Sequence, residues 1–394
     1  MPVPYYFWFP VILTLGIGFI SLSIPPVANQ FMELFGVGYG GLSFFLSVYY
    51  WTHSFIQVPA GLVLDRIGVA RTLVLCIAVS LVSSLLPLAA PENMALAVAG
   101  RFFLGICTGG LFLAMVKIIK TLTPPVYVAR VQAVQGAAVC LGIMLPYLVL
   151  PLAGQYGWVA SYCICAAFCL AVAYGAYKLP LRAMRRSRAH PTLRQTWQSV
   201  KHIATSRDVW FLGCCHGLAF GTLTTVIGNW LPSMLVDMRP GTVIEDWAFI
   251  TSILLLVGTA GRLFSGEVAR KIPRGIILNR VMLAVAATHA VLALSGTPAV
   301  VLVVSFAAAL LCGTTFSSIF TLATDTAEPA YVATAVGFMN MVANLINVLM
   351  VLFMGLIRDY TGSFSPGLCI SGSLALLFCL LTRKLARRIG EAPA

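Results

Sequence analysis

The chain has 394 residues, 60% of them hydrophobic and 9% charged, with a formal net charge of +13. A soluble domain is closer to a quarter charged, so the composition excludes an ordinary soluble enzyme or binding module and implies a polytopic membrane protein. The positive excess points to nucleic acid only until the basic residues are placed along the chain.

The first apolar run begins at Tyr5 and is long enough to span a bilayer. Met-Pro-Val-Pro before it has no positive region, so the run reads as a spanning helix, not a cleavable signal. Further runs follow, and the twelve expected helices are 6–28, 38–63, 72–90, 94–116, 127–153, 157–177, 209–236, 247–266, 276–295, 298–324, 330–356 and 363–382. Pro25, Pro26, Pro146, Pro151 and Pro232 fall inside them, which membrane helices tolerate where neighbours satisfy the freed backbone groups. The 11 cysteines lie in apolar runs without a metal-binding spacing, and read as small buried apolar residues.

Twenty-one of the 25 basic residues fall in alternate loops, the central segment and the C-terminal tail. The remaining four are Arg239 and Arg358 in opposite loops, and Arg101 and Arg262 within helices. This bias places both termini in the cytoplasm and accounts for the net charge without nucleic acid. The one long polar stretch, 179–206, is basic with Trp197 and Val200 as apolar anchors. It reads as a cytoplasmic linker with a short interfacial helix. The expected organisation is a bundle over 1–178, the linker 179–206 and a second bundle over 207–394 with a short tail.

The two halves repeat. A shift of 205 residues carries Gly16 onto Gly221, Ala60 onto Ser265, Gly61 onto Gly266 and Gln135 onto Asn340. The charged turn 65–71 falls on 270–276. That turn belongs to Pro59-Ala-Gly-Leu-Val-Leu-Asp-Arg-Ile-Gly-Val-Ala-Arg71, where a long apolar run ends. Its glycines allow a tight reversal, and its acid can accept hydrogen bonds from helix N-termini.

The pattern G-x-x-x-D-R-x-G-x-x-R resembles the signature between helices 2 and 3 of the major facilitator superfamily. Arg101-Phe-Phe-Leu-Gly105 with Gly109-Gly110 resembles that family's helix-4 pattern, and Gly142 with Pro146 its glycine- and proline-bearing helix 5. The resemblance covers the whole chain. It implies an all-α membrane fold of twelve transmembrane helices in two pseudo-symmetric six-helix bundles, with a substrate site at mid-membrane. It implies gating roles for Gly61, Asp65, Arg66, Gly68 and Arg71. The second copy of the loop departs from the pattern: Arg270 stands in the acid's place, and Glu267 is displaced by three residues.

A charge inside the membrane is a functional candidate by default. Arg262 lies four residues before Gly266. The run Arg262-Leu-Phe-Ser-Gly266 resembles the helix-8 arginine of monocarboxylate and oxalate transporters, which implies contact with a substrate carboxylate. Gly258, however, replaces the aspartate of the monocarboxylate family. The alternative is structural pairing or snorkelling. Tyr49, His53 and Gln57 share one helix face, and His53 could bind substrate, carry a proton or simply pack. Asn340, Asn344 and Asn347 share another face, toward a cavity or a neighbouring helix. Arg101 either completes a basic cavity or braces its helix. Asn229, Trp230, Thr314, Thr315 and Ser318 are weaker candidates, equally suited to interhelical hydrogen bonds.

All twelve acids fall at helix ends or in loops of this reading. A proton antiporter for cations needs a buried carboxylate; two buried arginines favour an anion. The leading expectation is therefore a secondary transporter of a small carboxylate, with a co-transported proton as an option. A carrier of a neutral solute or hydrophobic drug is the second reading, and a non-transporting sensor or scaffold the third. Neither nucleophile elbow, zinc spacing nor phosphate loop supports an enzyme. The expected partners are the solute and membrane lipids, with no cofactor, metal or nucleic acid, in a monomer of the inner or plasma membrane.

Overall fold

The computed structural model describes residues 5–179, 193–326 and 332–388. Each of the twelve expected runs is largely helical where described. Ten helices are long and apolar enough to cross a membrane among the described residues. Their exposed faces carry Val74, Val82, Phe249, Val303, Leu380 and similar residues, which suit acyl chains and not water.

The chain divides into two compact units, Met1–Val37 with Phe44–Pro191, and Gly38–Ser43 with Thr192–Ala394. In the first unit, α1 (Tyr5–Ser21) stops before the Pro25–Val27 turn, and α2 (Ala28–Phe35) follows it. The expected helix 38–63 is two, α3 (Tyr39–Phe55) and α4 (Gln57–Ile67). Pro59 explains the break: it has no N–H for the Phe55 carbonyl, and its ring clashes there. Gly68 follows with φ +86°, a conformation open to glycine, and α5 (Val69–Ala89) starts at once. Helices α6 (Met94–Leu122), α7 (Pro125–Val149) and α8 (Gly157–Lys178) complete the unit. Within α7, Val134–Val149 is a shorter apolar stretch.

Backbones touch where glycines meet. A Cβ on Gly18 of α1 would lie 2.3 Å from the Val139 carbonyl oxygen of α7. One on Gly105 of α6 would lie 2.5 Å from the Tyr49 carbonyl oxygen of α3. Such contacts give membrane helices dispersion energy that apolar burial cannot supply in lipid.

The second unit opens with α9 (Leu193–Ala204), which lies inside the expected linker, with Trp197 exposed and Ile203 buried. Residues 180–192 of that linker lie outside the described residues. The expected helix 209–236 is α10 (Arg207–Gly221), a π-helical segment Thr222–Trp230, and α11 (Leu231–Met238). Pro232, at the start of α11, removes an N–H from the ladder, and the widened turns precede it. Helices α12 (Ile244–Lys271), α13 (Arg274–Leu294), α14 (Pro298–Asp325), α15 (Val332–Thr361) and α16 (Ser365–Arg388) follow. Two cysteines depart from expectation: Cys163 and Cys369 are exposed on helix surfaces, not buried.

The charged ends of this unit are paired. Asp359 accepts from the Tyr39 and Gly40 amides at 2.9 and 2.6 Å, and Arg358 grips Asp237 with two nitrogens, at 3.1 and 2.8 Å. At the other end Arg274 meets Asp325 at 2.7 Å, while Glu267 pairs with Arg270 and Lys271 of its own helix. Asp325, absent from the motif reading, thus supplies an acid to the second loop.

Candidate functional site

Arg262 sits on α12, where Gly258 and Gly261 let α14 approach. A Cβ on Gly313 of α14 would lie 2.4 Å from the Gly258 carbonyl oxygen, and one on Gly261 2.3 Å from that of Leu310. The guanidinium lies over the Phe316 ring, 3.9 Å from its centroid, and 5.9 Å from that of Phe220. Aromatic faces attract a cation through the ring quadrupole. Arg262 lines a pocket with His216, Ala219, Phe220, Gly258 and Thr315 among others. Its clefts hold about 280 Å³ of empty space, of which about 20 Å³ admits a water-sized sphere. A solute of several carbons enters only after the pocket widens.

The π segment carries a second polar group of the same unit. Thr224 Oγ1 donates to Asn347 Oδ1 at 3.2 Å, and Thr225 Oγ1 bonds the same oxygen. Asn347 is fully buried, and its Nδ2 has no partner. Asn229 has no partner for either amide atom, nor has Trp230 for Nε1. Buried orphans of this kind are uncommon and mark places that take water or ligand. Asn340 and Asn344 are half-buried on the same helix as Asn347.

In the first unit, Tyr49 and His53 converge on Thr108. Its hydroxyl lies 3.1 Å from Tyr49 Oη and 3.0 Å from His53 Nδ1, and donates to the Leu104 carbonyl at 2.8 Å. Arg101, 1% exposed, donates to the Ile20 and Ser21 carbonyls at 2.7 and 3.4 Å and stacks 4.9 Å from the Tyr49 ring centroid. It thereby caps the C-terminal end of α1. Gln57 is half-buried at the start of α4. Arg66 and Arg71 are exposed on either side of Gly68; the side chain of Asp65 and the surroundings of Gly61 lie outside the described residues.

The candidates Arg262 and Thr315 line one pocket together with His216, which the sequence reading did not single out, and Thr108, also not singled out, joins Tyr49 and His53. Thr108 had a signal in the Gly-rich stretch of α6; His216 had none beyond being a histidine in an apolar run.

The chain is 29% identical over 177 residues to the hexuronate transporter of Bacillus subtilis (strain 168), a match covering 42% of each chain. The match therefore spans less than half the length of that curated relative. Among solved structures, a nucleoside transporter superposes with a TM-score of 0.78 at 12% identity, covering 97% of this chain and 99% of the other. A D-xylose–proton symporter gives 0.75 at 15% identity over 96% of each. A bacterial homologue of the human lysosomal transporter Spinster, inward-facing and unoccupied, gives 0.73 at 17% identity over the whole of both. These likenesses establish the helical fold. The sequence profile of the Major Facilitator Superfamily matches residues 9–351, most of the chain, and the protein belongs to that family of transporters.

Proposed function

We propose that this transporter carries a small organic anion bearing a carboxylate, and that Arg262 reads that carboxylate. One observation carries the reading. A guanidinium framed by Phe316, Phe220 and Thr315 lines a pocket of the second unit, whereas every acid among the described residues stands at a helix end or in a loop. A carboxylate would complete the site with a charge-assisted, two-pronged hydrogen bond. The hexuronate transporter relative handles a substrate of this class by its name. On this reading the charged turn 61–71 is a cytoplasmic gate, both termini face the cytoplasm, and alternating access opens the pocket to each side.

The unpartnered amides of Asn229 and Asn347 favour a second reading, a neutral polyhydroxylated solute held by hydrogen bonds. Binding of lactate, oxalate, D-glucuronate and D-xylose to the purified protein decides between them. Arg262→Gln should weaken the carboxylates by roughly 2–4 kcal/mol, about thirty- to a thousand-fold in Kd, with the melting temperature kept. Arg262→Lys keeps the charge, loses the fork and should fall between. Unchanged carboxylate affinity in Arg262→Gln, or binding of D-xylose alone, overturns the anion reading.

A further inference from the structure

Helix α9 carries an exposed face that the proposed solute site leaves unused. Its 12 residues are too few to span a bilayer, and its sequence holds Arg194, Lys201 and His202 but no acid. One side is docked: α9 packs on α10 and α15, and Ile203 is 3% exposed. The other side carries Trp197, 59% exposed, and the exposed Lys201 one turn on. The Lys201 ammonium lies 5.7 Å from the centroid of the Trp197 ring. No carboxylate pairs with Lys201 among the described residues.

The chain fixes the level of this face. The amides of Thr205 and Ser206 return to the His202 and Ile203 carbonyls at 3.2 and 2.9 Å, a tight turn that joins α9 to α10. Trp210 Nε1 donates to the Ala204 carbonyl at 2.9 Å, closing the end of α9 onto the first turn of α10. The apolar span begins at Arg207, so α9 lies at its border, where headgroups stand. Trp210 is itself exposed there, in keeping with the indole belt of a membrane edge. An indole suits that layer because its ring meets apolar carbons while its N–H stays wet.

We propose that this face of α9 is a docking site for anionic phospholipid, with Trp197 at the level of the glycerol and upper acyl carbons and Lys201 on the headgroup phosphate. The inference is independent of the solute carried. Charge complementarity selects the lipid. Lys201 and Arg207 are both exposed at this end, and the nearest acid in sequence, Asp208, is half-buried in the first turn of α10. The balance is positive. A headgroup of net negative charge is therefore favoured over a zwitterionic one, whose own ammonium opposes Lys201. Trp197 supplies an apolar half to the site, which a lipid uses and a free phosphate does not. Bound lipid holds α9 against the bilayer and, through the Trp210 bond, the first turn of α10 with it.

The test uses the full-length protein in phosphatidylcholine nanodiscs containing a minor fraction of phosphatidylglycerol. Either lipid is supplied with brominated acyl chains, which quench a tryptophan they touch. The Trp197 signal is the difference between the wild type and Trp197→Phe. Molecule for molecule, brominated phosphatidylglycerol should quench that signal about fivefold more efficiently than brominated phosphatidylcholine, the preference that one basic residue at a charged surface supplies. High salt should reduce the preference. In Lys201→Gln, against its own Trp197→Phe control, the two lipids should quench alike at an unchanged melting temperature. The number of phosphatidylglycerol molecules retained by the wild type and by Lys201→Gln in native mass spectrometry checks the result without any tryptophan variant, and should fall in Lys201→Gln. Equal quenching by both lipids in the wild type overturns the proposal, as does a preference that Lys201→Gln keeps in full. Quenching of Trp197 by aqueous iodide, with neither lipid effective, overturns it too and leaves this face to water or to a soluble partner.

Discussion

The two halves present one helix pair in different chemical form. A shift of 205 residues carries His53 onto Gly258, Gln57 onto Arg262, Thr108 onto Gly313 and Leu111 onto Phe316. In the first unit, His53 and Thr108 fill the crossing of α3 and α6 with a 3.0 Å hydrogen bond. In the second unit the same two places are glycines, and α12 and α14 meet backbone to backbone. Where a histidine and a threonine pack in one half, two glycines let the backbones close up in the other, next to an arginine in place of a glutamine. Symmetry of fold therefore does not carry symmetry of site. Both crossings border a small cleft, about 300 Å³ of empty space beside Thr108 and about 280 Å³ beside Arg262, and of the two only the second is lined by a charged residue.

The arginines sharpen the contrast, and Arg101 carries the largest expected effect on folding. Its two terminal nitrogens donate to the carbonyls ending α1, its Nε is buried without a partner, and its face lies over Tyr49 and Phe45. Arg101→Met should destabilise the protein by roughly 3 kcal/mol, since each lost bond to a charged donor is worth about 1.5–3 kcal/mol and leaves a buried carbonyl behind. Its melting temperature should drop, while the anion affinity of the folded fraction stays within about twofold. A normal melting curve with lost affinity would move Arg101 into the binding site and erase the contrast with Arg262.

The glycine crossings rank next. Alanine at Gly313 would place a Cβ 2.4 Å from the Gly258 carbonyl oxygen and 2.8 Å from the Arg262 nitrogen, atoms that cannot turn aside. Overpacking of this kind costs about 1–3 kcal/mol. Because α14 must lift away from the Arg262 turn, anion affinity should fall about tenfold as well. Alanine at Gly109 of α6 meets the Ile56 side chain at 2.4 Å and the His53 carbonyl oxygen at 3.0 Å. It should lower the melting temperature and leave affinity alone. Equal affinity losses in both variants would show that the two crossings serve the site alike.

What was legible in the chain follows from which forces are written locally. The apolar runs and the two arginines within them are single-stretch features, since lipid makes each helix satisfy its own backbone. The break at Ile56 was legible in Pro59 but passed over, because prolines are tolerated in membrane helices. Other features depend on distant pairs. Arg274 finds Asp325 across 51 residues, and His53 finds Thr108 across 55. No period or spacing announces such a meeting.

The smallest effect, and the one most specific to the comparison, is expected at Thr108. Valine keeps the shape of threonine but removes the oxygen that Tyr49 and His53 share. The two rings remain stacked, 5.7 Å between centroids, so packing is kept and only the hydrogen bonds go. Leaving one or two buried polar groups without partners costs about 1–3 kcal/mol, and relaxation of the histidine toward the half-exposed side of α3 should hold the loss near 1 kcal/mol. If the first unit's crossing is packing, Thr108→Val lowers the melting temperature by a few degrees and leaves the Kd for lactate, oxalate and D-glucuronate within about twofold. If Tyr49 and His53 bind the solute, the same variant loosens both at once, and affinity should fall tenfold or more at nearly unchanged stability. Melting temperature and Kd measured on one preparation separate these outcomes. A tenfold loss of affinity would restore His53 as a binding group and make the site depend on the histidine of one half as well as the arginine of the other.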